Sequence, residues 1–192
     1  PLTRINNRRF FDQRLSEEIG RSMRANEPIS CLFIDIDHFK SINDENGHQQ
    51  GDFVLREVAR LIREQLRNCD VIARYGGEEF AVLLANTPEQ VAWDVAERIR
   101  ESIDQHAHHL PETSKSIQVT VSIGIATLST LQGLEDVVKL GHMLVENADH
   151  ALYDAKSDGR NCIKSFKFTT EQTGIDPNNS LHEMSGPFTN ES

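Results

Sequence analysis

The chain lacks any run of about 18 consecutive apolar residues, the length that a membrane-spanning helix needs. We therefore expect this fragment to make no membrane contact. It also shows no signal peptide. Its three cysteines, Cys31, Cys69 and Cys162, are scattered and have no metal-ligand spacing. The simplest expectation is a cytoplasmic protein with reduced thiols.

Positive charge is also scarce, since 20 Lys and Arg residues face 30 Asp and Glu residues, for a net charge of −10. A surface that binds duplex nucleic acid needs clustered cations, so we expect no such partner. A small anionic ligand needs only a few local cations or a metal and is not excluded. The length of 192 residues and the 38% hydrophobic content are sufficient for one domain with a sizeable core.

Hydrophobic spacing predicts the order of helices and strands. Residues 6–26 are helix-compatible, and the unbroken apolar core of "ISCLFIDID" predicts a strand covered on both faces. A helical stripe from Leu55 to Leu66 precedes "DVIARYGGEEFAVLLA", which is typical of two strands joined by a tight turn. The next helix begins at "TPEQ", with Thr87 as the expected N-cap.

The second half continues the pattern. Strict alternation from Ile117 to Ile125 predicts a half-buried strand, and a helix over 134–156 precedes a closing strand at "NCIKSF". The core order is then β-α-β-β-α-β, an α+β, ferredoxin-like arrangement with helices on one face of an antiparallel sheet. Residues 1–166 form the predicted domain. The polar tail, 167–192, is expected to be disordered.

Acidic residues mark the predicted ends of two neighbouring strands. "DID" (35–37) ends the first strand, and "GGEE" (76–79) is the hairpin turn beside it. Two close carboxylates repel each other unless a cation lies between them. Magnesium favours one or two carboxylates together with phosphate oxygens. We therefore expect a metal at this turn, with Gly76 and Gly77 adopting positive φ to bring the backbone close to a ligand.

Simpler interpretations exist for the same residues. Two glutamates at a hairpin tip are more often just a solvated turn. "DIDHFKSINDENG" faintly matches a calcium loop, but Phe39 occupies a ligand position and the required glycine is missing, so we reject it. The histidines of "HAHH" (106–109) have no carboxylate companion at ligand spacing, and we expect a solvated helix end.

Several motifs together resemble one family. "DIDHFKSIND", "GHQQGD", "RYGGEEF", "VSIGIA" and "ADHALYDAKSDGRN" occur in the order found in the GGDEF domain of diguanylate cyclases. The opening "PLTRINNRRFF" is also similar, although Arg4 stands where a glycine is commoner. The resemblance covers about residues 1–166 and implies the fold of nucleotidyl cyclase and polymerase-palm domains, with extra helices and a peripheral hairpin or strand.

The resemblance implies a GTP-dependent enzyme that condenses two GTP molecules into cyclic di-GMP and releases two pyrophosphates. A homodimer is implied, since each protomer holds one GTP. Two Mg²⁺ or Mn²⁺ ions per site would be bound by Asp35, the carbonyl of Ile36 and Glu78. Glu78, Glu79 and Lys40 would be the catalytic residues. The backbone N–H groups around residues 37–40 would bind phosphate.

Further roles are implied for other positions. The phosphates would be bound by Phe39, Lys40, Lys156 and Arg160, and the guanine by Asn43, His48 and Asp52. Arg67 and Asp70, an R-x-x-D pair just ahead of the turn, resemble the family's inhibitory site for cyclic di-GMP. A local ion pair is the simpler interpretation of that pair, as an ordinary turn histidine is of His48.

Two other functions compete with an active cyclase. One is a catalytically silent module that only binds GTP or cyclic di-GMP, but "GGEEF" is intact here. The other is a nucleotidyl cyclase or polymerase relative with a different product, which Asn43, Asp52 and the R-x-x-D pair oppose. Because the chain starts at Pro1 rather than Met, we expect a fragment whose N-terminal sensor is missing. The full-length bacterial protein could be membrane-anchored through that region.

Overall fold

The computed structural model describes residues 2–111, 115–129 and 136–166. The predicted tail therefore lies outside the described residues. The elements are, in chain order, β1 (Asn6–Asn7), α1 (Arg8–Ala25), β2 (Ile29–Ile36), α2 (Phe39–Asn46), α3 (His48–Glu64), β3 (Val71–Arg74), β4 (Glu79–Ala85), α4 (Glu89–Asp104), β5 (His108–His109), β6 (Ser116–Ile117), β7 (Val121–Leu128), α5 (Val137–Ser157) and β8 (Ile163–Phe166).

Six strands form one sheet in the order β1-β3-β4-β2-β7-β8. The central four strands, β3, β4, β2 and β7, are antiparallel to one another. At the two edges, β1 pairs with β3 and β8 pairs with β7, both in parallel. This central order is that of a ferredoxin-like core, and the predicted β-α-β-β-α-β arrangement is confirmed. β5 and β6 pair in a separate small sheet, the predicted peripheral hairpin.

Helices cover both faces of this sheet, so the prediction that they lie on one face is wrong. Along β2, Leu32 and Ile34 pack into the core formed with α3 and α4, while Cys31 and Phe33 pack into the core formed with α1 and α5. All eight residues of β2 and all eight of β7 are buried. The alternation read as a half-buried strand at β7 is therefore wrong, because α5 covers its second face.

Gly124 explains how closely α5 approaches the sheet. A Cβ atom on Gly124 would lie 2.1 Å from the carbonyl oxygen of Ala148 and 2.2 Å from the amide nitrogen of Leu152. Only glycine permits this backbone-to-backbone approach. It brings the last turn of α5 beside the end of β2, where the acidic motifs lie.

α2 is an additional helix between β2 and α3, and a left-handed residue, His38 (φ 55°), precedes it. Two local expectations are wrong. Pro88, not Thr87, is the N-cap of α4, since the Thr87 hydroxyl donates to the carbonyl oxygen of Ala85 and accepts from Arg67. His108 is fully buried in β5 rather than solvated.

Within the described part of the chain, no helix is both long enough and apolar enough to cross a membrane.

Candidate active site

The acidic ends of β2 and of the hairpin meet, as the sequence predicted. Asp35 is the register partner of Glu79, and the amide of Ile36 donates to the carbonyl oxygen of Glu78 at 3.4 Å. Asp35 and Glu79 point to the sheet face that α1 and α5 cover, because they follow the alternation of Phe33 and Ala81. Three carboxylates therefore cluster at one edge of the fold.

The turn between β3 and β4 is held by its own backbone and by one arginine. The amide of Tyr75 donates to the carbonyl oxygen of Glu79 at 2.8 Å, and the Arg74 guanidinium donates twice to that of Gly77, at 2.9 and 2.6 Å. Neither glycine of the turn has a positive φ, so that expectation is wrong. A Cβ on Gly76 would instead lie 2.3 Å from Oε2 of Glu79, whose side chain folds over it.

The environment of Asp35 disfavours the ionised form of its carboxyl group. Its side chain is 9% exposed, and burial raises the pKa of this carboxyl to about 6, with the neighbouring charges of Glu78 and Glu79 adding to the rise. The Lys156 ammonium lies 2.9 Å from Oδ2 of Asp35 and opposes the shift. A divalent cation would relieve the same repulsion more strongly.

The donor set fits magnesium bound together with a phosphate-bearing substrate. No group of three or more His, Cys, Asp or Glu side chains is arranged around one metal position among residues 2–111, 115–129 and 136–166. Magnesium commonly binds through one or two carboxylates and completes its shell with waters and substrate phosphates. Asp35 and Glu78 are the carboxylates that would bind such an ion, and Ile36, whose carbonyl would join them, is the last residue of β2.

The turn after β2 presents the start of α2. His38 makes no side-chain cap, so the amides of the first turn of α2, including Phe39 and Lys40, are the ordinary unsatisfied donors of a helix N-terminus. The amide of Asp37 is different, because it donates to the carbonyl oxygen of Thr120 at 2.9 Å. The expectation that residue 37 belongs to the phosphate-binding amides is therefore wrong.

The two predicted basic residues lie at the other side of this turn. Lys156 is in the last turn of α5 and already contacts Asp35. Arg160 is exposed in the α5–β8 loop and has a left-handed backbone (φ 65°). Lys40 is also exposed. The segments that carry these three residues meet near the end of β2, because the backbone amide of Asn161, next to Arg160, donates to Asp37.

Asn43 and Asp52 come together across the α2–α3 joint. A Cβ on Gly51 would lie 1.9 Å from Oδ1 of Asn43, so the Asn43 side chain rests directly on the residue that precedes Asp52. Asp52 is exposed and lines a cavity of about 270 Å³. His48, the first residue of α3, is exposed at the same end. The Asp52 carboxylate can accept hydrogen bonds from a flat polar ring in this cavity, and the contact with Gly51 places Asn43 near it.

This geometry agrees with the relatives of the chain. Residues 1–162 match the family model described as "Diguanylate cyclase, GGDEF domain". The chain belongs to the GGDEF diguanylate cyclase family. It is 43% identical to diguanylate cyclase A of Treponema denticola over 86% of this chain and 43% of that protein. It is 38% identical to the response regulator PleD of Caulobacter vibrioides over 84% of this chain and 34% of that protein. The chain thus spans less than half the length of these relatives.

Solved structures agree with the sequence relatives. The GGDEF domain of DgcB from Caulobacter crescentus, in complex with c-di-GMP, superposes with a TM-score of 0.79 at 35% identity, over 86% of this chain and 93% of that one. The active GGEEF domain of a diguanylate cyclase from Vibrio cholerae gives a TM-score of 0.75 at 32% identity, over 86% of this chain and all of that one. The nucleotidyl cyclase, palm-like fold of GGDEF domains is therefore the fold of this chain.

The R-x-x-D pair of this GGDEF domain lies away from the acidic cluster, at the opposite end of β3 from the turn. Oδ2 of Asp70 accepts from the backbone amide of Arg67 at 2.8 Å and from its guanidinium at 3.3 Å. The same guanidinium donates to the Thr87 hydroxyl at 2.7 Å. Asp70 is almost fully buried, while Arg67 is half exposed. The pair is thus a local ion pair in the structure, whatever else it binds.

The side-chain roles of two residues near the candidate site were not predicted from the sequence. Arg74 holds the turn by bonding the carbonyl oxygen of Gly77. Asp37 is 4% exposed and accepts three hydrogen bonds, from Thr120, Ser122 and Asn161. Both residues lie inside motifs that indicated the family, and this was the signal that could have pointed to them. Their hydrogen-bond partners could not be predicted, because turn geometry sets the partner of Arg74 and distant segments supply those of Asp37.

The raised pKa of Asp35 predicts how the metal-free domain responds to pH. The folded-state pKa of about 6 exceeds the ordinary 3.8, so the stability that this carboxyl contributes is present below about pH 4 and is lost as the pH rises through 6. Asp35→Asn cannot ionise. Its free energy of unfolding relative to wild type is expected to rise by about 1–3 kcal/mol over that window, measured by urea unfolding with a chelator.

Asp94→Asn, an exposed change on α4, is the matched control and should show a flat difference. An equally flat difference for Asp35→Asn would contradict the assignment of a strained carboxylate. Adding magnesium with a GTP analogue should stabilise wild type more than Asp35→Asn.

Proposed function

We propose that this domain is a diguanylate cyclase that condenses two GTP molecules into cyclic di-GMP, in a homodimer whose protomers each hold one GTP. The observation that carries the proposal is the placement of Asp35, Glu78 and Glu79 at the end of β2 that leads into the uncapped start of α2, with Lys156 at 2.9 Å from Asp35. Carboxylates for a metal and donors for a triphosphate lie at one site. That the Treponema relative is named a diguanylate cyclase supports the same activity.

The residues divide the work between charge and position. The amides of Phe39 and Lys40, at the start of α2, would bind phosphate oxygens, and Lys40 and Arg160 would approach them from exposed positions. Lys156 would leave Asp35 for the terminal phosphates once a metal neutralises that carboxylate. In-line displacement of this kind depends mainly on positioning and electrostatic stabilisation, which these groups supply.

Asp35, Glu78 and the Ile36 carbonyl would hold Mg²⁺ or Mn²⁺, two ions per site. When bound, such ions neutralise the α-phosphate and lower the pKa of the attacking 3′-hydroxyl. The 3′-oxygen of each GTP then forms a bond to the α-phosphorus of the other, and each α–β bond breaks to release pyrophosphate. Glu78 is the residue that we propose takes the 3′-hydroxyl proton. Glu79 folds over Gly76 in the same turn and would assist with the metal or the proton.

Guanine would be read by Asn43 and Asp52, with His48 at the same open end. The Asp52 carboxylate can accept from both N1–H and the 2-amino group of guanine, donors that adenine does not present at that edge. Adenine would leave the carboxylate unpaired, at a cost of about 1–3 kcal/mol. The contact of Asn43 with Gly51 supports this assignment, since it places Asn43 beside the residue that precedes Asp52.

Glu78→Gln tests the activity. Wild-type domain freed of nucleotide and incubated with GTP and magnesium should form cyclic di-GMP at a rate that rises faster than linearly with protein concentration, because two protomers must meet. Glu78→Gln should lower that rate by about 100-fold or more, since amide nitrogen replaces a metal-binding and proton-accepting oxygen. Products are separated by chromatography.

Glu101→Gln, an exposed change on α4, is the matched control and should leave the rate unchanged. Full activity in Glu78→Gln would sink the metal assignment. Tight binding of GTP without product in wild type, even after fusion to a dimerising helix, would favour a silent receptor.

Asp52→Ala tests how the base is read. Loss of the carboxylate is expected to reduce the preference for GTP over ATP by about tenfold or more, measured as the ratio of the two kcat/KM values. Arg56→Ala, which removes an exposed side chain lining the same cavity, should keep the preference. Unchanged discrimination in Asp52→Ala would show that guanine is read elsewhere.

Arg67 and Asp70 would form an inhibitory site for cyclic di-GMP. The Arg67 guanidinium is half exposed and can exchange its bond to Thr87 for a guanine edge or a phosphate of the ligand. The complex of the DgcB domain with c-di-GMP supports a product-binding site in this family.

Arg67→Ala should raise the cyclic di-GMP concentration for half-inhibition by about tenfold or more while leaving the uninhibited rate unchanged. Arg60→Ala removes another arginine of the same region, one that pairs with Glu57 and Glu64, and should leave the inhibition curve in place. An unmoved curve for Arg67→Ala would remove the regulatory assignment.

A further inference from the structure

We propose that Asp37 is a positioning residue that holds the two phosphate-binding segments of the site, the turn 38–40 and the loop 156–160, in one geometry. The inference rests on the proposed function, because it concerns the same triphosphate. It assigns Asp37 no contact with substrate or metal. Its carboxylate acts through the segments that it joins.

The Asp37 carboxylate is buried and fully engaged by neutral donors. Oδ1 accepts from the Ser122 hydroxyl at 2.7 Å, and Oδ2 accepts from the Thr120 hydroxyl at 2.7 Å and from the backbone amide of Asn161 at 3.0 Å. A buried carboxylate without an ion pair needs such bonds to remain in place. Asp37 thus ties the end of β2 to the start of β7 and to the loop after α5.

The loop at the far end of these bonds has an unusual backbone. Gly159, Arg160 and Asn161 all have positive φ, at 103°, 65° and 45°. Two successive non-glycine residues in the left-handed region are strained and persist only where surrounding contacts determine their conformation. The side chain of Asn161 also accepts from Arg100 at 2.9 Å and donates to Asp104 at 3.2 Å. Arg160 is the middle residue of this run.

Asp37 also lies between two parts of the proposed site in the chain. Ile36, before it, is the proposed carbonyl ligand, and His38, after it, takes the left-handed conformation that starts α2. The amide of Asp37 donates to the carbonyl oxygen of Thr120 at 2.9 Å, so both the backbone and the side chain of Asp37 are hydrogen-bonded to Thr120. A shift of Asp37 would therefore move the α2 amides and the basic loop relative to each other. Displacements of about 1 Å are enough to weaken such sites strongly.

The test compares a triphosphate with a monophosphate. Affinities for α,β-methylene GTP and for GMP are measured by calorimetry with magnesium, for wild type, Asp37→Asn and the double variant T120V/S122A. Asp37→Asn keeps the shape of the side chain but has one acceptor oxygen instead of two. The double variant keeps the carboxylate and removes both hydroxyl donors. Each is expected to lose about tenfold in affinity for the triphosphate and less than about twofold for GMP.

Ser30→Ala is the matched control for lost stability. Ser30 is also fully buried in β2, and its hydroxyl bonds the Thr87 carbonyl oxygen and the Thr127 hydroxyl, both at 2.7 Å, at the strand's other end. It should lower the melting temperature without changing the ratio of the two affinities. A lowered melting temperature with an unchanged ratio in whichever Asp37-network variant folds would overturn the proposal.

Different results would overturn the proposed function and the role of Asp37. A wild-type domain that binds the triphosphate no more tightly than GMP would remove the phosphate site of the proposed function, and the role of Asp37 with it. A wild-type preference for the triphosphate that the variants retain would overturn the role of Asp37 alone.

Discussion

Everything at the candidate site depends on β2 being buried on both faces and paired on both edges. β4 pairs with one edge and β7 with the other, and each brings a loop to the place where β2 ends. On the β4 side this is the GGEEF turn. On the β7 side it is the segment whose hydroxyls bind Asp37, with the α5–β8 loop behind it. A strand with one free edge could not gather residues from both directions.

Asp35 and Asp37, at the end of β2, are two buried carboxylates in different electrostatic environments. Asp37 is surrounded by three donors and needs no cation. Burial raises the pKa of the Asp35 carboxyl to about 6, and the charges of Glu78 and Glu79 add to this rise while Lys156 opposes it. The two carboxylates are therefore suited to different roles. A carboxylate with several hydrogen-bond donors stabilises the surrounding fold, whereas one with a raised pKa favours a bound cation. Asp37 and the proposed metal ligand Asp35 are two residues apart in the chain.

The R-x-x-D pair has a structural role in the folded domain. Asp70 closes the turn before β3 by accepting from the backbone of Arg67, and Arg67 reaches the Thr87 hydroxyl in the loop before α4. Thr87 is thereby withdrawn from capping α4. The local ion pair and a ligand site are compatible, because only the guanidinium is half exposed and free to exchange partners.

Sequence periodicity by itself determined much of this protein. The apolar run of β2, the helical stripes of α3 and α4, and the hairpin around "GGEE" predicted the β-α-β-β-α-β order, since burial imposes these spacings directly. The ordered set of motifs predicted the family and the meeting of Asp35 with the turn. These are properties of short segments and of one strand pairing.

Only the tertiary structure decided the rest. That helices cover both faces follows from α1 and α5 closing on the sheet, which depends on the absence of a side chain at Gly124. The partners of Asp37 come from residues more than 80 positions away, and no local pattern encodes such bonds. The Lys156–Asp35 pair arises in the same way, because it requires the packed end of α5 to lie beside β2. Spacing reports which residues are buried, whereas the side-chain partners of a buried charge are set by how the elements pack.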